Sequence, residues 1–180
     1  YDTATLNIST STYRLGSTPA TSPAATGIMN VFGGTVNSAA NNLELGKNEG
    51  TGILNIAGGT YTGTGTLNPG TGTNVSWQVN VTAGTLNMGI MNGDTNNGTF
   101  RVTGSSASIT FTNGGLGAFE IANNSKDGDF IFDLDGSSAH ISTIMLPNGG
   151  ARIAGADLIL NALPGFVINA GDTVDLLDTA

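Results

Sequence analysis

The chain repeats itself at a step of 25 residues, and that constrains its fold more than any other feature. Ile28-Met29-Asn30-Val31-Phe32-Gly33-Gly34-Thr35 returns as Ile53-Leu54-Asn55-Ile56-Ala57-Gly58-Gly59-Thr60 and again as Gln78-Val79-Asn80-Val81-Thr82-Ala83-Gly84-Thr85. Asn30, Asn55 and Asn80 therefore fall in one column. The third copy decides which side is buried: Gln78, Asn80 and Thr82 are polar, whereas Val79 and Val81 are apolar. With the two-residue alternation of a strand, Met29, Val31, Leu54, Ile56, Val79 and Val81 point inward and the Asn column points outward. Past the Gly-Gly or Ala-Gly bend, Val36, Tyr61 and Leu86 resume the inward stripe. Glycine suits such a corner because the backbone must turn through angles that side chains resist.

A unit of this length is too short for a propeller blade and lacks the leucine-rich signature. Three strands of about five residues with tight corners make one coil, and one coil cannot bury its own apolar stripe. Stacking does. The predicted fold is all-β, a right-handed parallel β-solenoid of about seven coils; at about 4.8 Å per coil the rod is about 35 Å long. A sandwich of short hairpins is the alternative, and the in-phase columns favour the solenoid. No segment of ten or more residues has helical periodicity. Later turns are looser: Phe100–Ile109 aligns with Phe132–Ile141 at a step of 32, and a last turn runs through Ala156–Leu160 and Asp172–Leu177. The chain reads as one domain over 1–180, with an irregular strand or cap region at 1–26, regular coils at 27–117 and looser coils at 118–180.

Composition narrows the function. Only 10% of residues are charged, against about 25% in an ordinary domain, yet 38% are hydrophobic, enough to fold. A net charge of −8 argues against a groove that tracks phosphates, so nucleic acid is not an expected partner. Cysteine is absent, which removes disulfides and thiolate metal sites and leans toward an exported protein. No apolar run is long enough to span a membrane. The first residue is Tyr1, which suggests a mature or partial segment. Asn-x-Ser/Thr sequons start at Asn7, Asn74, Asn80, Asn97 and Asn123, but a chain this rich in Asn and Thr forms them readily by chance.

Gly52-Ile53-Leu54-Asn55-Ile56-Ala57-Gly58-Gly59-Thr60 and Asn42-Leu43-Glu44-Leu45-Gly46 resemble autotransporter-associated β-strand repeats, whose pattern is G-x-L-N-[VI]-x-G-G-T with L-x-L-G. Such repeats occur in large bacterial surface proteins, many with a PEP-CTERM sorting tail. The segment from Pro164-Gly165-Phe166 to Gly171-Asp172-Thr173-Val174-Asp175-Leu176-Leu177 is similar to the end of such a passenger. The likeness covers most of 27–117 and extends to 156–178. It implies an extracellular scaffold or adhesive rod, and no catalytic residues or cofactor come with it.

Three other chemistries deserve weighing. A carbohydrate-cleaving helix needs carboxylates on one face; Asp133 and Asp135 share a face, with Asp127 and Asp129 just before them, and Arg101, Lys126, Arg152 and His140 as candidate companions. The plainer reading is solvated surface acids. Calcium could use Asn123-Asn124-Ser125-Lys126-Asp127-Gly128-Asp129, with Asp127 and Asp129 as ligands. That loop departs from the EF-hand pattern in having Asn123 first and Leu134 where the bidentate Glu belongs. An ice-binding ladder would need hydroxyls recurring in one column over several coils; Thr60, Thr62, Thr64 and Thr66 alternate, with Thr71 and Thr73 beyond, and Thr35, Thr60 and Thr85 recur singly at a bend. Strand propensity on a polar face explains them equally. Arg101 and Asp133 are expected to form an exposed ion pair, Trp77 to pack against a loop, and His140 to be exposed.

Both ends of the chain read as strands, Tyr1–Ile8 and Thr173–Leu177, with no amphipathic helix to cap an open sheet edge. Either more chain continues beyond the segment or one subunit's end stacks on the next; the expectation is the second, a non-catalytic extracellular or cell-surface protein, structural or adhesive, that forms homo-oligomers by end-to-end strand stacking into a filament, matrix or surface layer. A cell-surface polysaccharide is a further candidate partner. The alternatives are a carbohydrate-binding or polysaccharide-cleaving β-helix and, behind them, an ice-binding protein.

Overall fold

A computed structural model describes residues 4–18, 23–69, 75–93, 98–121, 128–136, 142–153 and 156–179. Its strands follow the chain coil by coil. The first coil holds β1 (Thr5–Ile8) and β2 (Thr12–Ser17); the second β3 (Thr26–Val31), β4 (Thr35–Ser38) and β5 (Asn42–Lys47). The third has β6 (Thr51–Gly63) and β7 (Thr66–Pro69), the fourth β8 (Ser76–Met88) and β9 (Ile90–Gly93). The fifth has β10 (Gly98–Thr103), β11 (Ala107–Phe111) and β12 (Gly115–Ile121); the sixth β13 (Gly128–Leu134), β14 (Ile144–Met145) and β15 (Gly149–Ile153). The last holds β16 (Ala156–Ala162) and β17 (Leu177–Asp178). No helix occurs among the described residues.

Every strand pairs in parallel with its counterpart one coil away. The protein is a parallel β-solenoid. It has three faces. The first runs β3, the front of β6, the front of β8, β10, β13 and β16; the second runs β1, β4, the back of β6, the back of β8, β11, β14 and β17. Because β6 and β8 turn a corner without ending, these two faces join into one 11-stranded sheet. The third face is a separate 6-stranded sheet of β2, β5, β7, β9, β12 and β15.

The inward columns form the core. Met29, Leu54, Val79, Phe100, Phe130 and Leu158 stack in register, as do Val31, Ile56, Val81, Val102, Phe132 and Leu160. Val36, Tyr61, Leu86 and Ile109 make the matching column of the second face, and Leu43, Leu67 and Met91 that of the third. Coils five and six are filled by phenylalanines: Phe100 meets Phe119 edge-on at 5.2 Å between ring centres, and Phe130 lies 4.5 Å from Phe132. Tilted and edge contacts of this kind add to plain area burial.

The 25-residue step holds only from β3 through β8; Trp77 pairs with Gly98, a step of 21, and Gly98 with Gly128, a step of 30. Two sequence expectations are corrected here. Phe100 pairs with Phe130 and not Phe132, which sits beside Val102, and Ile109 pairs with Ile144 and not Ile141. The first is a slip of two residues, which leaves every side chain on its original face, so alternation alone cannot tell Phe130 from Phe132; the second is a slip of three, across the corner between the two faces. Packing decides. Trp77, expected to pack against a loop, lies within β8 and is fully buried in the core, with Gly52 on one side and Gly98 on the other. A Cβ on Gly98 would overlap the Trp77 indole. At the next corner Gly84 has φ of 84°, and a Cβ there would run into the backbone of Gly58 and Gly59.

Candidate functional site

The outward columns carry the polar chemistry, and each runs along the axis. On the first face the Asn55 side-chain NH2 donates to the Asn30 carboxamide oxygen at 2.7 Å, and Asn80 donates to Asn55 at 2.8 Å. All point the same way, so each amide polarises the next. Register then places Arg101, Ile131 and Ile159 in that column. On the second face Asn37 donates to Asn7 at 3.1 Å in the same sense.

Beyond the ladder a carboxylate joins three coils. Asp133 of β13 accepts from Arg101 Nε at 2.5 Å and Nη2 at 2.9 Å, from Thr103 Oγ1 at 2.7 Å and from Asn161 Nδ2 at 3.0 Å. Arg101 and Thr103 belong to β10, Asn161 to β16. The expected Arg101–Asp133 pair exists, but it is not an exposed one: the Asp133 side chain is 1% accessible and Arg101 44%. Burial pushes the Asp133 carboxyl up, but the bonds from Arg101, Asn161 and Thr103, with the Arg101 charge, outweigh it and hold the group below the usual aspartate range. The pair is diagonal, since Thr103 and not Arg101 is the direct partner of Asp133 in the sheet.

The third face has its own charged column. Arg14 Nε meets Glu44 at 2.5 Å, and Lys47 lies 3.3 Å from the same carboxylate. Burial raises the Glu44 carboxyl, but the two cations bring it below its ordinary value. Asn68 follows Glu44, and on the later coils Asn92, Glu120 and Arg152 are direct neighbours, with Arg152 3.2 Å from Glu120.

The second face is different in kind. Thr5, Thr35, Thr60, Thr85 and Ser108 stack in one outward column, and Asn7, Asn37, Thr62, Asn87 and Thr110 in the next, two residues along. Ten positions over five coils bear only hydroxyls and carboxamides. The sequence showed the Thr35, Thr60, Thr85 portion; the members at Thr5 and Ser108 stayed hidden because the steps there are 30 and 23.

The other sequence candidates do not converge. Asp129 is beside Asp157 on the first face, Asp133 is engaged by Arg101, and Arg152 is on the third face. Asp127, Lys126, His140, Thr71 and Thr73 lie outside the described residues, as does most of the proposed calcium loop. No group of three or more His, Cys, Asp or Glu able to hold a metal occurs among the described residues, and no described helix is long and apolar enough to cross a membrane. Comparison with known proteins supplies no relative to argue from: no family model, no curated protein and no solved structure matches the chain.

Proposed function

We propose that this chain is a non-catalytic structural or adhesive rod of the extracellular space or cell surface. One observation carries the reading: its polar side chains are engaged with one another from coil to coil along the axis. Asn30–Asn55–Asn80, Arg14–Glu44, Glu120–Arg152 and Arg101–Asp133–Asn161 each tie a coil to its neighbour. Chemistry distributed in this way stiffens a rod. Catalysis would instead bring groups together around a reacting atom.

The rod extends by adding coils. Leu6, Leu158 and Leu160 occupy inward columns yet are 51%, 50% and 50% accessible, because no further coil covers them in the described structure. A second copy stacked end to end would bury these residues and pair its strand edges with theirs. Negative-stain electron microscopy over a concentration series tests this. Rods that lengthen at constant width are expected; particles of one fixed length at every concentration would overturn end-to-end growth.

A further inference from the structure

We propose that the second face of the solenoid is an ice-binding surface. The claim concerns the side of the rod and stands apart from end-to-end growth. Its basis is the two-column array of Thr5, Thr35, Thr60, Thr85 and Ser108 beside Asn7, Asn37, Thr62, Asn87 and Thr110.

Three properties of the array point to this ligand. The first is its periodicity. Parallel pairing sets the columns' vertical step at about 4.8 Å, and two residues of strand separate the columns by about 6.6 Å, so the ten groups form a regular rectangular net. The second is neutrality. None of the ten positions is charged, whereas the third face carries Arg14, Glu44, Lys47, Glu120 and Arg152. A charged group gathers water radially around itself; a neutral hydroxyl or amide takes water into a hydrogen-bonded network at a fixed position.

The third property is rigidity. Six of the ten are threonines, whose β-branch restricts χ1, and their strands are anchored from inside by the buried Val36, Tyr61, Leu86 and Ile109. Asn37 is further held by Asn7. A neutral, rigid net of regular spacing holds a layer of waters in fixed positions. A growing ice plane can take up that layer as its own.

A soluble or crystalline neutral polysaccharide also displays periodic hydroxyls. The array offers it no aromatic platform, since the column positions are Thr, Ser and Asn throughout. The net therefore favours ice, and the sugar becomes an outcome of the test.

The test is nanolitre osmometry with microscopy of single ice crystals in the purified protein. Thr62→Lys and, separately, Thr110→Lys place a long charged side chain on the array without entering the core. Gln78→Lys makes a comparable change on the first face. The expected result is a gap between melting and growth temperatures with faceted crystals, lost in Thr62→Lys and Thr110→Lys and retained in Gln78→Lys, all with wild-type circular dichroism. Round, freely growing crystals in the wild-type protein would overturn the assignment. So would equal activity in all four proteins. Adsorption to microcrystalline cellulose that is lost in Thr62→Lys, without any effect on ice, would overturn it in favour of a polysaccharide.

Discussion

Asn55 serves two coils at once, donating to Asn30 below and accepting from Asn80 above. A net gain of about 1 kcal/mol per hydrogen bond makes Asn55→Ala destabilising by about 2 kcal/mol, read as a shift in the urea midpoint at constant slope. Trp77 shows the opposite dependence, on what its neighbours lack. Its indole fills the space that Gly98 leaves, so Gly98→Ala forces an overlap and is expected to cost about 1–3 kcal/mol or more, with a red-shifted Trp77 emission. An unchanged midpoint and spectrum would show that the indole is not confined there. The Asn column was legible in the sequence because one residue type recurs at one step. Trp77 was not: its column reads Gly27, Gly52, Trp77, Gly98, Gly128, and a large residue among glycines has no alternation to reveal it.

At the scale of elements, β10, β13 and β16 are held by one buried carboxylate. Asp133 has a folded pKa below its unfolded value of about 3.9, so its contribution is fully present above that pH and is lost as pH falls through the lower, folded value. The protection of the β16 amides, taken relative to their intrinsic exchange at the same pH, is therefore expected to fall below about pH 4, before that of β6 and β8, whose shared column is held by uncharged carboxamides. Asp133→Asn should weaken β16 protection at neutral pH and flatten this acid response. Loss of β6 and β16 protection at the same pH would assign the acid sensitivity elsewhere. In this region the sequence is compatible with two registers. Phe130 and Phe132 both point inward, so a strand two residues out of register looks equally good on paper; the diagonal Arg101–Asp133 pair and the three-coil clamp follow only from the true register. The core itself is less forgiving, and Leu54→Ala in the centre of the stack is expected to cost about 2–5 kcal/mol in chemical denaturation.

The whole molecule is a stack of unequal coils made equivalent by pairing. The sequence revealed the stack where three successive coils share a step, and obscured it where loops lengthen one turn by several residues without moving the strands. The candidate surface followed the same pattern: its middle could be read and its extent could not. The stack requires direct contact between residues one coil apart, and a chain without cysteine allows a clean test. Gln78 and Thr99 are direct partners on adjacent coils, whereas Ile53 and Thr99 are two coils apart. A disulfide needs Cα atoms about 4.4–6.8 Å apart. Gln78→Cys with Thr99→Cys is expected to oxidise to an intramolecular disulfide under mild conditions, and Ile53→Cys with Thr99→Cys to remain reduced. Ready cross-linking of the second pair, with none in the first, would contradict the stack.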